Sequence, residues 1–194
     1  MTIRNGLLMT IVILLTGCGI NTIPELDERA KAGWAQVENQ YQRRADLVPN
    51  LVATVKGYAE QEQEVLIAVT EARAKVGQIQ VDENTINDPA KLQAFEQAQS
   101  ELGGALSRLM VVVEQYPDLK SNQNFLTLQS QLEGTENRIS VVRKDYIEAV
   151  EAYNTELRTF PGLIWHSILY SDLANRATFE TTTAGADEAP KVEF

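Results

Sequence analysis

The stretch FLTLQSQLEGTENRISVVRKDYIEAVEAYNTELRTF, residues 125–160, decides the fold class. Phe125, Leu128, Leu132, Thr135, Ile139, Val142, Tyr146, Ala149, Tyr153, Glu156 and Phe160 recur at alternating steps of three and four. Only Thr135 and Glu156 interrupt the apolar series. Side chains at that spacing share one face of an α-helix. The pattern therefore predicts one long helix with a buried seam, as in a bundle or coiled coil. At a rise of ~1.5 Å per residue, about forty residues reach about 60 Å. Pro161-Gly162 stops the helix.

The same period runs through the N-terminal half. Leu26, Ala30, Trp34, Val37, Tyr41, Ala45, Val48, Leu51 or Val52, Val55, Ala59, Leu66, Val69 and Val76 form a second stripe. Pro49 sits in its middle. A proline inside a helix lacks one N–H and crowds the preceding turn, and it biases Val48 away from helical angles. One kinked helix or two consecutive helices would fit, and a break or strong kink near Leu47 to Asn50 is the favoured expectation. VGQIQVDENTINDP, residues 76–89, is the clearest internal loop. Gly77 is suited to end a helix, while Asp88 and Pro89 are suited to cap and begin the next. Leu92, Phe95, Leu102, Leu106, Leu109 and Val113 continue that helix to Tyr116, and Gly103-Gly104 within it suggests a close helix approach. YPDLKSN, residues 116–122, separates it from the final seam.

Composition excludes some functions. The chain of 194 residues has 17 basic and 27 acidic side chains, a formal charge of −10. That balance repels nucleic-acid phosphates and anionic lipid headgroups alike. No nucleic-acid partner is expected, and any membrane attachment must be apolar or covalent.

The N-terminus supplies such an attachment. Arg4 precedes the uncharged apolar run GLLMTIVILLT, residues 6–16, and small residues lead to Cys18, the single cysteine. Basic, apolar, then small is the order of a secretory signal. The run falls short of the roughly 20 apolar residues that span a bilayer. LTGC, Leu15 to Cys18, also resembles the bacterial lipobox. That resemblance implies lipid transfer to the Cys18 sulfur and cleavage after Gly17. Two or three acyl chains anchor stably where one is marginal, at ~0.8 kcal/mol per buried methylene. The competing reading is an uncleaved N-terminal anchor with an idle cysteine. Gly19 rather than Asp after the cysteine would permit export to the outer membrane in a diderm bacterium.

Catalytic constellations are sparse. Glu133 and Glu136 have carboxylate-pair spacing, but His166 is the single histidine and lies outside the long helices. No Cys-His pair, glycine-rich nucleotide loop or nucleophile elbow is evident. No metal or other cofactor is expected. GLIWHSILYSDLANRATF, residues 162–179, could form a short apolar helix through Ile164, Trp165, Ile168, Leu169 and Leu173. Surface-active helices usually carry Lys or Arg on their polar face, and Arg176 is nearly alone here. Packing against the bundle end is therefore preferred to membrane contact.

The most unusual segment is WAQVENQYQRRADLVPNLVATVKGYAEQE, residues 34–62. Glu38, Asn39, Arg43, Arg44, Asp46 and Asn50 crowd polar groups around a buried stripe. The ordinary reading has Asp46 and Asn50 satisfying backbone groups freed by Pro49, with Arg43 or Arg44 paired to nearby acids. The functional reading is a docking surface for a protein partner of unknown identity.

GWAQVENQYQRRADLVPNLVATVKGYA, residues 33–59, resembles the LemA family. So do LSRLMVVVEQYPDLKSNQNFLTLQSQLEGTENRISVVRKDYIEAVEAYNTELRTFP, residues 106–161, and the closing PKVEF. The likeness covers about Leu26 to Phe194. It implies an all-α, antiparallel four-helix bundle on a membrane anchor, with a break near Pro49. Many members carry a transmembrane helix where this chain carries a lipobox. The resemblance brings no catalytic residue or cofactor. The expected organisation is a signal peptide at 1–17, a lipidated N-terminus and linker at 18–25, a helical bundle at 26–179 and a polar tail at 180–194. The expected function is that of a non-enzymatic, lipid-anchored scaffold of the bacterial cell envelope, facing the extracytoplasmic side. An accessory subunit of a membrane protease or cell-wall enzyme, or a membrane-shaping protein, is the alternative.

Overall fold

The computed structural model describes residues 19–79, 81 and 85–179. The expected signal peptide at 1–17, Cys18 and the tail from residue 180 lie outside the described residues. Among the described residues the fold is all-α, with one 3-10 turn at Thr85–Asn87. The helices are α1 (Thr22–Lys56), α2 (Gln63–Gln78), α3 (Pro89–Val113), the single turn α4 (Pro117–Lys120), α5 (Gln123–Glu156) and α6 (Gly162–Leu169). α1, α2, α3 and α5 make the expected antiparallel bundle. Val55 shares a core with Phe125 at one end, and Ile23 shares one with Tyr153 at the other, so α1 and α5 run in opposite directions.

The seam of residues 125–160 is buried almost as the spacing requires. Phe125, Leu132, Thr135, Ile139, Tyr146, Ala149 and Tyr153 are buried. Thr135 is tolerated because its hydroxyl donates to the Gln131 carbonyl at 2.8 Å. The last position fails: α5 ends at Glu156, Leu157 turns inward, and Phe160 is 81% exposed. Asn122 and Asp88 cap α5 and α3, each side chain accepting from two backbone amides. Such caps contribute ~1 kcal/mol apiece. α2 instead runs through Gly77 and ends at Gln78.

With 16 residues, α2 is about 24 Å long, against about 52 Å for the 35 residues of α1. It covers only the half of the bundle distant from the N-terminus. In the near half its place is taken by the Thr85–Asn87 turn, the first turns of α3 and the segment ending at Phe179. Trp34 is the centre there, with ring centroids 5.4 Å from Phe95, 5.5 Å from Tyr146 and 6.1 Å from Phe179. The close helix approach lies at Gly33, where a Cβ would stand 3.4 Å from the Tyr146 Cα. Gly103 instead faces the Arg44 guanidinium, and nothing lies within 4 Å of a Cβ at Gly104.

Two expectations about α1 are corrected. It begins at Thr22 with Ile23 fully buried, so residues 22–25 belong to the bundle and not to a linker. It also continues unbroken through Pro49. Proline leaves the carbonyl four residues earlier without its helical donor. That carbonyl, on Ala45, accepts instead from Arg73 Nε of α2 at 3.0 Å. Asp46 and Asn50 do not take this role. Asp46 accepts from Gln42, and the Asn50 carbonyl accepts from Thr54.

Candidate functional site

The polar cluster of α1 divides into two sides of one helix. Asn39, Arg43, Asp46 and Asn50 recur at four, three and four residues, and all are exposed, as is Glu38. Each lies about 200° around the helix from Val37, Tyr41, Arg44 or Val48, which are buried. The result is a polar strip on the outer face of α1. Arg43, Asp46 and Asn50 line none of the clefts described below, so the strip offers a face rather than a pocket.

Arg44 is not part of that strip. It is 4% exposed and points into the bundle. Its Nη2 donates to the Gln99 carbonyl at 2.8 Å and to Gln99 Oε1 at 2.6 Å. Its Nη1 donates to Glu136 Oε1 at 3.1 Å. The guanidinium also stands 5.0 Å from the Tyr41 ring centroid, within cation–π range. A buried cation requires such partners, because leaving it unpaired costs several kcal/mol. One side chain of α1 thus fixes α3 and α5 in register. A second connection lies one layer closer to the N-terminus. Arg143 of α5 donates to Tyr41 Oη at 2.9 Å and to Glu96 of α3 at 2.8 Å. Glu136 accepts from Arg44 and Glu133 from Gln129, and both line a cleft of about 560 Å³ between α3 and α5 in which no histidine accompanies them.

A cleft of about 470 Å³ opens between α1, α2 and α3 where α2 ends, lined by Glu38, Tyr41, Gln42, Arg73, Phe95 and Gln99. Three of its polar side chains are already engaged, Arg73 by Ala45, Gln99 by Arg44 and Gln42 by Asp46. A groove of about 430 Å³ at the distant end is lined by Val52, Leu66 and Ile67, with Lys56, Glu60 and Glu71 at its margin. Among the described residues no group of three or more His, Cys, Asp and Glu could hold a metal.

The N-terminal end is built by the segment after α5. Trp165, Tyr170 and Leu173 pack on Ile23, Leu26, Tyr153 and Leu157, which is the bundle-end packing expected for this region. His166 Nε2 lies 2.8 Å from the Leu173 carbonyl. After a turn at Tyr170–Leu173, residues 174–179 run along the bundle as a strap without regular secondary structure. Tyr146 donates to the Ala177 carbonyl at 2.6 Å, and Asn154 brackets the Arg176 backbone with bonds of 2.9 and 3.0 Å. Burial pushes the Tyr146 and Tyr153 phenols up from their ordinary range. Arg176, far from lying on a polar helix face, is 9% exposed. It meets Asp27 Oδ1 at 2.6 Å and also reaches Asn87. Lys31 gives Asp27 a second cation at 3.0 Å.

Sequence reasoning missed three separate polar connections: Arg44 with Gln99 and Glu136, Arg176 with Asp27, and Arg73 with the Ala45 carbonyl. Part of this was visible. Ile23, Asp27, Ala30 and Trp34, then Tyr41, Arg44 and Val48, keep steps of three and four, so both charges fall on the buried stripe. Their partners are distant in sequence and carry no comparable signal.

Gly19, beside the proposed lipid site, has φ +93°, and a Cβ there would stand 3.4 Å from Pro161 Cγ and 3.9 Å from Trp165 Nε1. Gly19, the first described residue, therefore lies beside α6. Among the described residues no helix is long and apolar enough to cross a membrane.

Comparison with known proteins agrees with this architecture. The magnetosome proteins MamQ 1 and MamQ 2 of Paramagnetospirillum magneticum are each 29% identical to the chain, over 82% of it and 63% of their own length. Protein LemA of Metamycoplasma hominis is 28% identical over 72% of the chain and 58% of its own length. The chain thus spans about three-fifths of the length of these curated relatives. The model of the LemA family matches residues 33–194, well over half of the chain, and the chain belongs to that family.

Proposed function

We propose that this protein is a non-enzymatic scaffold of the bacterial cell envelope, tethered by lipid at Cys18 and presenting the outer face of α1 to a protein partner. The observation that carries the reading is the arrangement along α1. Gly19 lies at one end of the bundle, and α1 rises from there without a break. At ~1.5 Å per residue, Asn39 stands about 26 Å and Asn50 about 42 Å above the start of α1. A helix interrupted at Pro49 would not hold the strip in line. The Arg73 bond to Ala45 and the Arg44 crosslink keep it one rigid face.

Supporting points come from the sequence and the relatives. The lipobox offers covalent attachment, which suits a chain whose charge of −10 disfavours electrostatic membrane binding. The side chains with catalytic potential around the bundle, Arg44, Arg73, Glu136 and His166, each have a structural partner. The magnetosome relatives are named for a place rather than a reaction, which suits a scaffold. Export to the outer membrane follows if the source is diderm.

The test is photo-crosslinking in native membranes from a reporter side chain at Asn39, comparing the wild-type strip with Arg43→Glu/Asp46→Lys. Loss of a discrete crosslinked partner with unchanged protein level is the expected result. An identical crosslinking pattern would remove the strip as the docking face.

A further inference from the structure

We propose that α6 is a second, uncharged membrane contact: its outer face rests in the lipid interface beside the N-terminal anchor and fixes the tilt of the bundle. Phe160 is 81% exposed, Ile168 66%, Leu163 52%, Leu169 50% and Ile164 43%. Leu163, Ile164, Ser167 and Ile168 are exposed and share one side of α6, opposite Gly162 and His166, so one face docks on the bundle and the other is a largely apolar surface. Clustered exposed side chains of this size mark an interaction site rather than ordinary surface.

Position and charge identify the occupant. Gly19 packs against Pro161 and Trp165, and the apolar run of residues 6–16 ends only three positions before it. Whether the chain is held by that run or by acyl chains on Cys18, the lipid surface lies within a few residues of α6. From Phe160 to Tyr170 there is no Asp, Glu, Lys or Arg. A protein of charge −10 gains nothing from anionic headgroups, so a favourable contact must be made by apolar side chains alone. Trp165 and Tyr170 pack inward on the bundle end and hold the helix there, which leaves the outer side to its aliphatic residues. A single flexible tether would leave the rod free to lie in any direction. Two neighbouring attachments restrict it and hold the α1 strip at a constant height. The inference rests on the proposal that the N-terminus is membrane-attached, but not on the chemistry of that attachment.

The test uses the full chain with Cys18→Ala, which retains the apolar run and leaves no native thiol. A nitroxide is placed through Ile168→Cys or, at the distant end, Val111→Cys, at a position that is 68% exposed. After flotation with phosphatidylcholine vesicles, collision with oxygen is compared with collision with a water-soluble nickel chelate. The expected result is an oxygen-to-nickel ratio at position 168 at least fivefold above that at 111. Equal ratios, or a chain that does not float, overturn the proposal. Nitroxide–nitroxide broadening at 168 that persists in detergent would assign the face to a second copy of the chain and also overturn it. Lipidation of Cys18 is read separately, by mass spectrometry of the wild-type chain, so its failure leaves this measurement intact.

Discussion

Replacing Arg73 with methionine removes the donor that the Ala45 carbonyl uses in place of the missing Pro49 amide. A hydrogen bond from a charged group contributes ~1.5–3 kcal/mol when buried. Arg73 is half-buried, which lowers the expected cost to about 1–2 kcal/mol. For a chain of this size that is a fall in Tm of about 2–8 °C. The stem of methionine keeps most of the packing, so the loss reports the bond. Pro49→Ala restores an N–H four residues after Ala45, and with it the helical bond. In that background Arg73→Met should cost only about 0.5 kcal/mol, a coupling of about 1 kcal/mol between residues 49 and 73. Urea unfolding followed by far-ultraviolet circular dichroism on the four proteins measures it. If Arg73→Met costs the same in the wild type and in the Pro49→Ala background, the arginine does not stand in for the missing amide.

Further consequences follow from the strap and the strip. Arg176→Ala strips Asp27 of its closest cation and should destabilise by about 3 kcal/mol, near the low end for a broken buried pair because Lys31 remains; urea unfolding reads it, and a loss under about 1 kcal/mol counts against the pair. A Cβ at Gly162 would collide with the Glu156 carbonyl, so Gly162→Ala should lift α6 and raise acrylamide quenching of Trp165 in a Trp34→Phe background. Tyr146 stays neutral in the fold to a higher pH than in the unfolded chain, where a phenol ionises near ~10. Its stabilising effect is therefore complete below about pH 10 and is lost as pH rises from there toward the folded value. Tyr146→Phe should make the alkaline loss of stability shallower in a pH series of urea unfolding curves. Arg43→Glu with Asp46→Lys should alter stability by less than about 0.5 kcal/mol, as exposed changes do, so any loss of a crosslinked partner reports binding.

The long helices were legible because burial of one face imposes its period on the sequence. The seam from Phe125 to Tyr153, the stripe of α1 and the Asp88 cap could all be read directly. Pro49 misled for a physical reason. Local rules count the bond that proline removes, and they cannot see a donor from another helix, Arg73, far along the chain. The same limit applies to Arg44. Its neighbours in sequence made it one of a polar group, while its phase placed it inside, facing Gln99 and Glu136. Arg176 was opaque, because a strap without regular secondary structure has no period and its partner, Asp27, lies 149 residues earlier. The two faces of α6 were half legible: composition revealed an apolar helix, but not which side the bundle would leave uncovered.

The most direct measurement for the anchored scaffold is metabolic labelling with radioactive palmitate in a bacterial host, followed by isolation of the wild-type chain and Cys18→Ala. A tether at Cys18 requires label in the wild type and none in the variant, with the variant retained at the higher mass of the uncleaved precursor. Equal label in both, or label in neither with the wild type still membrane-bound, would contradict the tether at Cys18.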